Sequence, residues 1–246
     1  KDLHFPPQIY LKDQTLREGE QAAMSGFRLE SKIEIARMLD EVGVHYLQVG
    51  YPGLSESENR MIKKIAGLGL KTKVGGIALV YLPEWKEQID RALDTGIYWV
   101  SVAYGLSPVR LNQMMKVPLE VAIDRILKAT EYAAKKGLYV QFNATDTTRG
   151  PLEILLDLYR KAVDAGAAMV SVSDTAGSMG PTAMRYLVPK LVQALVVPLG
   201  IHTHNDLGLA MANAIAGIEA GASLVDVTVN GLGERAGNAS LDEVAT

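Results

Sequence analysis

Residues 200–208 read GIHTHNDLG and set two imidazoles two positions apart, although the whole chain of 246 residues holds only four histidines. Alternate side chains of an extended segment project to the same side, so His202 and His204 face one way and Thr203 the other. Two neutral imidazoles so placed can converge on one divalent cation. The competing reading is a pair of hydrogen-bonded pocket histidines. A cation also needs an anionic ligand, and the segment LKDQTLREGEQ over 11–21 offers Glu18, with Asp13, Arg17 and Gln21 near it. Taken alone, that segment is better explained as a solvated loop with an Arg17–Glu18 pair. Toward the end of the chain, NGLGERAGNAS carries glycines that let backbone approach a ligand, and Asn238 offers a carbonyl oxygen. Mixed nitrogen and oxygen ligation suits Mg2+ or Mn2+, and imidazoles also suit Zn2+.

Groups so far apart in sequence need a scaffold that gathers them. Eight short β-rich runs recur: QIYLKDQT, VHYLQVG, TKVGGIAL, YWVSVAYG, LYVQFNATD, AMVSVSDT, PLGIHTHN and SLVDVTVNG. Between them, stretches such as 29–42, 83–95, 118–136, 151–165 and 208–220 repeat apolar residues at i, i+3 and i+4, the pattern of an amphipathic helix. Gly43, Gly96, Gly137, Gly166 and Gly221 stand where a left-handed residue would end a helix. Pro151 and Pro181 suit a first helical turn. Strands alternating with helices pair in parallel, and strands apolar on both faces are covered on both. Eight such units predict an α/β fold, a (β/α)8 TIM barrel, with reactive groups at the C-terminal strand ends. An open doubly wound sheet competes, but a glycine-rich phosphate loop after the first run is missing. A single domain over 1–246 is expected. LDEVAT falls about one turn into the eighth helix, so the barrel is expected to be cut before or within that helix.

Bulk properties narrow the partners. A net charge of −3 gives no field that would draw in nucleic acid or an anionic membrane face. No apolar run approaches the roughly 18 residues of a membrane span. The chain has no cysteine, which removes thiolate nucleophiles and thiolate metal sites and suits a reducing cytoplasm.

In order along the chain, DQTLREGEQ, VSDTAG, HTHNDLGLAMANA and NGLGERAGNA resemble the metal-dependent family typified by homocitrate synthase, 2-isopropylmalate synthase and 3-hydroxy-3-methylglutaryl-CoA lyase. The resemblance spans nearly the whole chain, and REGEQ is most similar to the homocitrate synthases. It implies a (β/α)8 barrel, a divalent cation held by Glu18, His202 and His204 with Asn238 as a fourth or near ligand, and the joining of acetyl-CoA or another acyl-CoA to a 2-oxo acid. By the same resemblance Arg17 stabilises the enolate or carbonyl oxygen, and Gln21 orients the keto acid. Thr175 donates to its carboxylate, and Arg149 reaches the distal carboxylate of a dicarboxylic substrate; a salt bridge to Asp146 is the alternative for Arg149. A homodimer and a C-terminal accessory region beyond this chain are implied as well.

The chain departs from that pattern at three strand ends. Gln48 stands where the family usually has glutamate, Thr145 replaces a carboxylate on the fifth strand, and the third strand offers Gly76 where homocitrate synthases place a histidine. A carbon–carbon lyase or aldolase would share every ligand, although the lyase's mobile cysteine has no counterpart here. A silent barrel that binds a keto acid or metal is the non-enzymatic alternative, and a non-haem iron oxygenase shares the two-histidine, one-carboxylate set.

Overall fold

Two alternating sets of side chains decide how the eight runs assemble. One set is almost uninterrupted in Val, Leu, Ile, Ala and Phe, while the other mixes glycine, serine and charged residues. The computed structural model describes residues 5–246 and resolves the two sets as the outer and inner faces of a closed barrel. Its strands are β1 (Tyr10–Asp13), β2 (Tyr46–Gln48), β3 (Lys73–Leu79), β4 (Trp99–Gly105), β5 (Tyr139–Thr145), β6 (Met169–Asp174), β7 (Leu199–Thr203) and β8 (Leu224–Val227). All pairs are parallel and follow chain order, and β1 closes the ring against β8 with Lys12 opposite Asp226. The helices are α1 (Leu29–Val42), α2 (Glu56–Ala66), α3 (Trp85–Asp94), α4 (Leu119–Lys135), α5 (Leu152–Asp164), α6 (Pro181–Ala194), α7 (Ala210–Glu219) and the short α8 (Leu241–Ala245). Outward residues such as Val100, Val102, Val140, Phe142, Val170, Val172 and Ile201 are fully buried in one core with Ile62, Ile89, Ile126, Leu158 and Leu191 of the helices.

Inside the barrel the layers differ sharply. At the N-terminal end Trp99, Met169 and Leu224 pack with Tyr10, Tyr46 and Tyr139 into a separate apolar floor. Above it lie Lys12, Ser101, Gln141, Ser171 and Asp226, all buried. Gly75 makes the floor possible: it sits opposite Trp99 in register, and a Cβ there would overlap the indole ring. Gly75→Ala is therefore expected to destabilise the fold by about 1–3 kcal/mol, read as a lower urea midpoint at unchanged m-value. An unshifted midpoint would show that the indole has room to move.

Local signals mostly end where expected. Gly43, Gly96, Gly137, Gly166 and Gly221 all have positive φ, between 78° and 106°. Pro181 opens α6 as its first residue, whereas Pro151 precedes the first residue of α5. The eighth run is shorter than its sequence suggests, because Val229–Gly231 forms a 3-10 turn with Asn230 in the left-handed region. Among the described residues, no helix is long and apolar enough to cross a membrane.

Candidate metal centre and active-site cavity

The inward positions at the C-terminal strand ends line an open cavity of about 340 Å³. His202 lies on β7, and His204 just beyond it, bridged to Asn238. Their Nε2 atoms are 3.1 Å apart. Thr203 faces the opposite way and donates to the Ala210 carbonyl at 3.0 Å. Glu18 comes from the turn after β1, where Gln14 O accepts the N–H groups of Arg17 and Glu18. One ligand atom each of Glu18, His202 and His204 falls within 4.8 Å of the others, and all three residues are buried. Such a cluster suits a divalent cation.

The surroundings set the charge of these groups. Burial would raise the Glu18 carboxyl, but the Arg17 guanidinium against it brings it down to about 2. Burial, and then the neighbouring His202 ring, push His204 down to about 3. Behind His202, Asp226 faces Nδ1 at 3.1 Å, Lys12 Nζ at 2.8 Å and the Gln14 amide. With Nδ1–H given to Asp226, the lone pair of His202 is left on Nε2, directed at the shared point. Burial opposes the charge on Asp226, but Lys12 and His202 hold its carboxyl below the ordinary range.

These shifts fix the acid behaviour of the metal-free fold. The depressed His204 and Glu18 favour the folded state fully above their unfolded values, near 6.5 and 4.5, and that stability is lost as pH falls toward 3 and 2. The raised Asp13 carboxyl acts in the opposite sense between about 7 and 4, so the difference is the test: over that range the melting temperature of metal-free protein is expected to drop relative to that of His204→Gln. Equal changes in the two proteins would contradict the depressed imidazole.

Arg17 is held at all three guanidinium nitrogens, with one Nη2 hydrogen left over. Its Nε donates to Gln48 Oε1 at 2.8 Å and Nη1 to Gln21 Oε1 at 2.9 Å; Nη1 also meets Glu18, Nη2 meets Gln14, and the Tyr51 ring lies 6.0 Å from the guanidinium carbon. Gln48 thus stands behind Arg17, outside the set of residues lining the cavity. Gln21 and Thr175 do line it. Thr175 Oγ1 accepts the Asp146 N–H at 2.8 Å, which leaves its own proton to donate. Asn238, with its amide nitrogen turned to the Gly237 and Thr203 carbonyls at 3.1 and 3.2 Å and to His204 Nδ1 at 3.1 Å, adjoins His204, and its oxygen then lies on the Gly233 side.

Other residues singled out in the sequence lie apart from the cavity. Arg149 does not line the cavity; it forks onto Asp146, Nε to Oδ1 at 2.7 Å and Nη2 to Oδ2 at 2.8 Å. Gly76 packs against the Gly50–Pro52 turn, and the third strand instead presents Ile77 and Leu79 to the cavity. Asp13 accepts from the Thr15 amide and hydroxyl at 2.8 and 3.0 Å, fixing the turn after β1, while burial raises its carboxyl to about 7. Lys12, Gln14, Asp226, Arg110 and Glu234 escaped the sequence reading. The first and third carried a signal, a charge in the middle of a strand.

The HMGL-like family profile matches residues 8–246. The chain belongs to the HMGL-like family. Among its curated relatives, it is 42% identical to a 2-isopropylmalate synthase of Methanocaldococcus jannaschii, over 99% of this chain and 46% of that protein. It is 41% identical to homocitrate synthase AksA of Methanothermobacter thermautotrophicus, over 99% and 61%, and 44% identical to a homocitrate synthase of Pyrococcus abyssi, over 95% and 63%. The chain thus spans about half to three fifths of the length of these relatives. Its fold is that of the HMG-CoA lyase of Bacillus subtilis, with a TM-score of 0.84 at 18% identity, over 98% of this chain and 85% of that one.

Proposed function

We propose that this barrel catalyses a metal-dependent condensation of acetyl-CoA, or another acyl-CoA, with a 2-oxo acid. The observation that carries the reading is the convergence of Glu18, His202 and His204 beside Arg17 at the mouth of a barrel about two fifths identical to synthases of this kind. Those three residues would hold Mg2+, Mn2+ or Zn2+, with Asn238 adjoining. A divalent cation bound there supplies Lewis-acid polarisation of a ketone oxygen.

The chain's own groups bind and orient. Arg17 presents a permanent charge and a planar fork to the oxygen that gains charge, in a partly enclosed site where such a charge acts strongly. Thr175 offers its free hydroxyl proton to the acid's carboxylate, and Gln21, held by Arg17, limits how the acid turns. Gln48 acts through Arg17 as a positioning residue. Asp226 and Lys12 keep His202 in one ring orientation. We read the chain as one catalytic domain, cytoplasmic and homodimeric; the cysteine-free composition and the exposed Met24 and Met114 support these expectations.

The test is release of free CoA from acetyl-CoA on addition of individual 2-oxo acids to full-length protein with Mn2+ or Mg2+. Acid-dependent CoA release supports condensation. Cleavage of a 3-hydroxyacyl-CoA to acetyl-CoA and a carbonyl compound, with no forward reaction, would overturn it in favour of a lyase.

A further inference from the structure

Arg110 is a half-buried cation on the cavity wall with no partner for its charge. Among the described residues, no carboxylate lies within ion-pair distance of its guanidinium and no hydrogen bond engages it; only its backbone N–H is used, donating to Ser107 Oγ at 3.3 Å. Arg17, by contrast, is paired with Glu18. Asp146, the carboxylate anchored to Ser107, is already taken on both oxygens by Arg149. An arginine left without a counter-charge on a cavity wall is poised for an anion that arrives from outside.

Its placement says where that anion must be. Arg110 opens a π-helical turn over Arg110–Met115 after β4, a geometry that recurs at functional sites. Its aliphatic stem crosses Gly105 toward Thr145 at the end of β5, and a Cβ at Gly105 would overlap Arg110 Cδ. In a closed ring of eight strands β5 stands opposite β1, so Arg110, beside the ends of β4 and β5, lines the far side of the same cavity from Arg17 and Glu18. Ile77, Leu79 and Ala103 form an apolar stretch of wall suited to methylene groups. The charges agree: two arginines (Arg17, Arg110) against two glutamates (Glu18, Glu234) leave the lining neutral, and a bound divalent cation would bring it to two positive charges.

We propose that Arg110 receives the second carboxylate of a dicarboxylic 2-oxo acid, gripping the substrate at the end remote from its keto group. This rests on the condensation reading and deepens it by naming the acid's class and a specificity-determining residue. Arg149, tied to Asp146, is excluded from that task.

Calorimetric binding to Mn2+-loaded protein tests it with matched acids. 2-Oxoglutarate is compared with 2-oxovalerate, and 2-oxoadipate with 2-oxohexanoate, each pair differing by a methyl group in place of the far carboxylate. At least one diacid is expected to bind about 30-fold more tightly than its partner, the scale of a charge-assisted contact. Arg110→Gln should reduce that preference to about threefold or less with the monoacid's affinity unchanged. Gly105→Ala, which displaces the arginine, should move it in the same direction, with circular dichroism confirming the fold of both variants. Equal binding within each pair, or a preference that survives Arg110→Gln, overturns the proposal. So does a loss confined to free CoA, which would assign the guanidinium to the donor's phosphates. If no acid of either pair binds, the reading of the site as a 2-oxo acid site itself fails.

Discussion

Replacing His202 or His204 by alanine is expected to abolish stoichiometric Mn2+ binding, weakening it by at least about a hundredfold, the upper end of what is lost when only the residue behind a ligand is changed. The cluster offers three strong ligands, and no other grouping of His, Asp or Glu among the described residues comes together in this way. Removing one imidazole leaves only two anchors, Glu18 and the remaining ring. The barrel should survive, because its cohesion lies in the apolar shell between strands and helices rather than at the rim. Calorimetry with Mn2+ measures the first effect, and the melting temperature of metal-free protein, expected to move by no more than about 4 °C, measures the second. Variants that retain tight, stoichiometric metal would remove Glu18, His202 and His204 as the ligand set.

Arg17→Lys is expected to lower kcat by about 10²–10³, the loss seen when one preorganised donor to a developing oxyanion is removed. The structure explains why a conserved charge would not suffice. Four side-chain oxygens, from Gln48, Gln21, Glu18 and Gln14, meet the fork from different directions. A lysine ammonium has no planar fork and cannot satisfy them all, so Gln48 and Gln14 would lose their partner and the charge would wander. A substrate KM that changes far less than kcat would match a role realised as charge develops. A near-normal rate would contradict it.

Much of this candidate site was readable in the sequence because polar groups at strand ends leave compact traces. His202 and His204 declare themselves by alternation on one strand, and Arg17–Glu18 by an unusual density of charge at a strand exit. The five helix-ending glycines fixed the αβ punctuation so closely that all five adopt positive φ. What escaped was partnership across the barrel. Whether Arg149 turns inward or onto Asp146 depends on the left-handed residue at Asp146, φ 60°, which has no sequence mark as clear as glycine. Arg110 is invisible for the converse reason: it sits in a π-turn among polar and apolar neighbours, and its charge is left unmatched only by how the chain folds around it. Lys12 and Asp226 face each other because β1 and β8 close the ring in one register, a fact about closure that neither strand carries alone.

The aromatic plug of Tyr10, Tyr46, Trp99 and Tyr139 gives the barrel a single doorway. Under the proposed condensation, two reactants that meet over Glu18 and the imidazoles would come and go through the same opening, so whichever seats deeper would enter before the other and could not depart beneath it. Traffic through the barrel would thereby be a queue, imposed by masonry at the far end of the molecule rather than by any group that touches the chemistry.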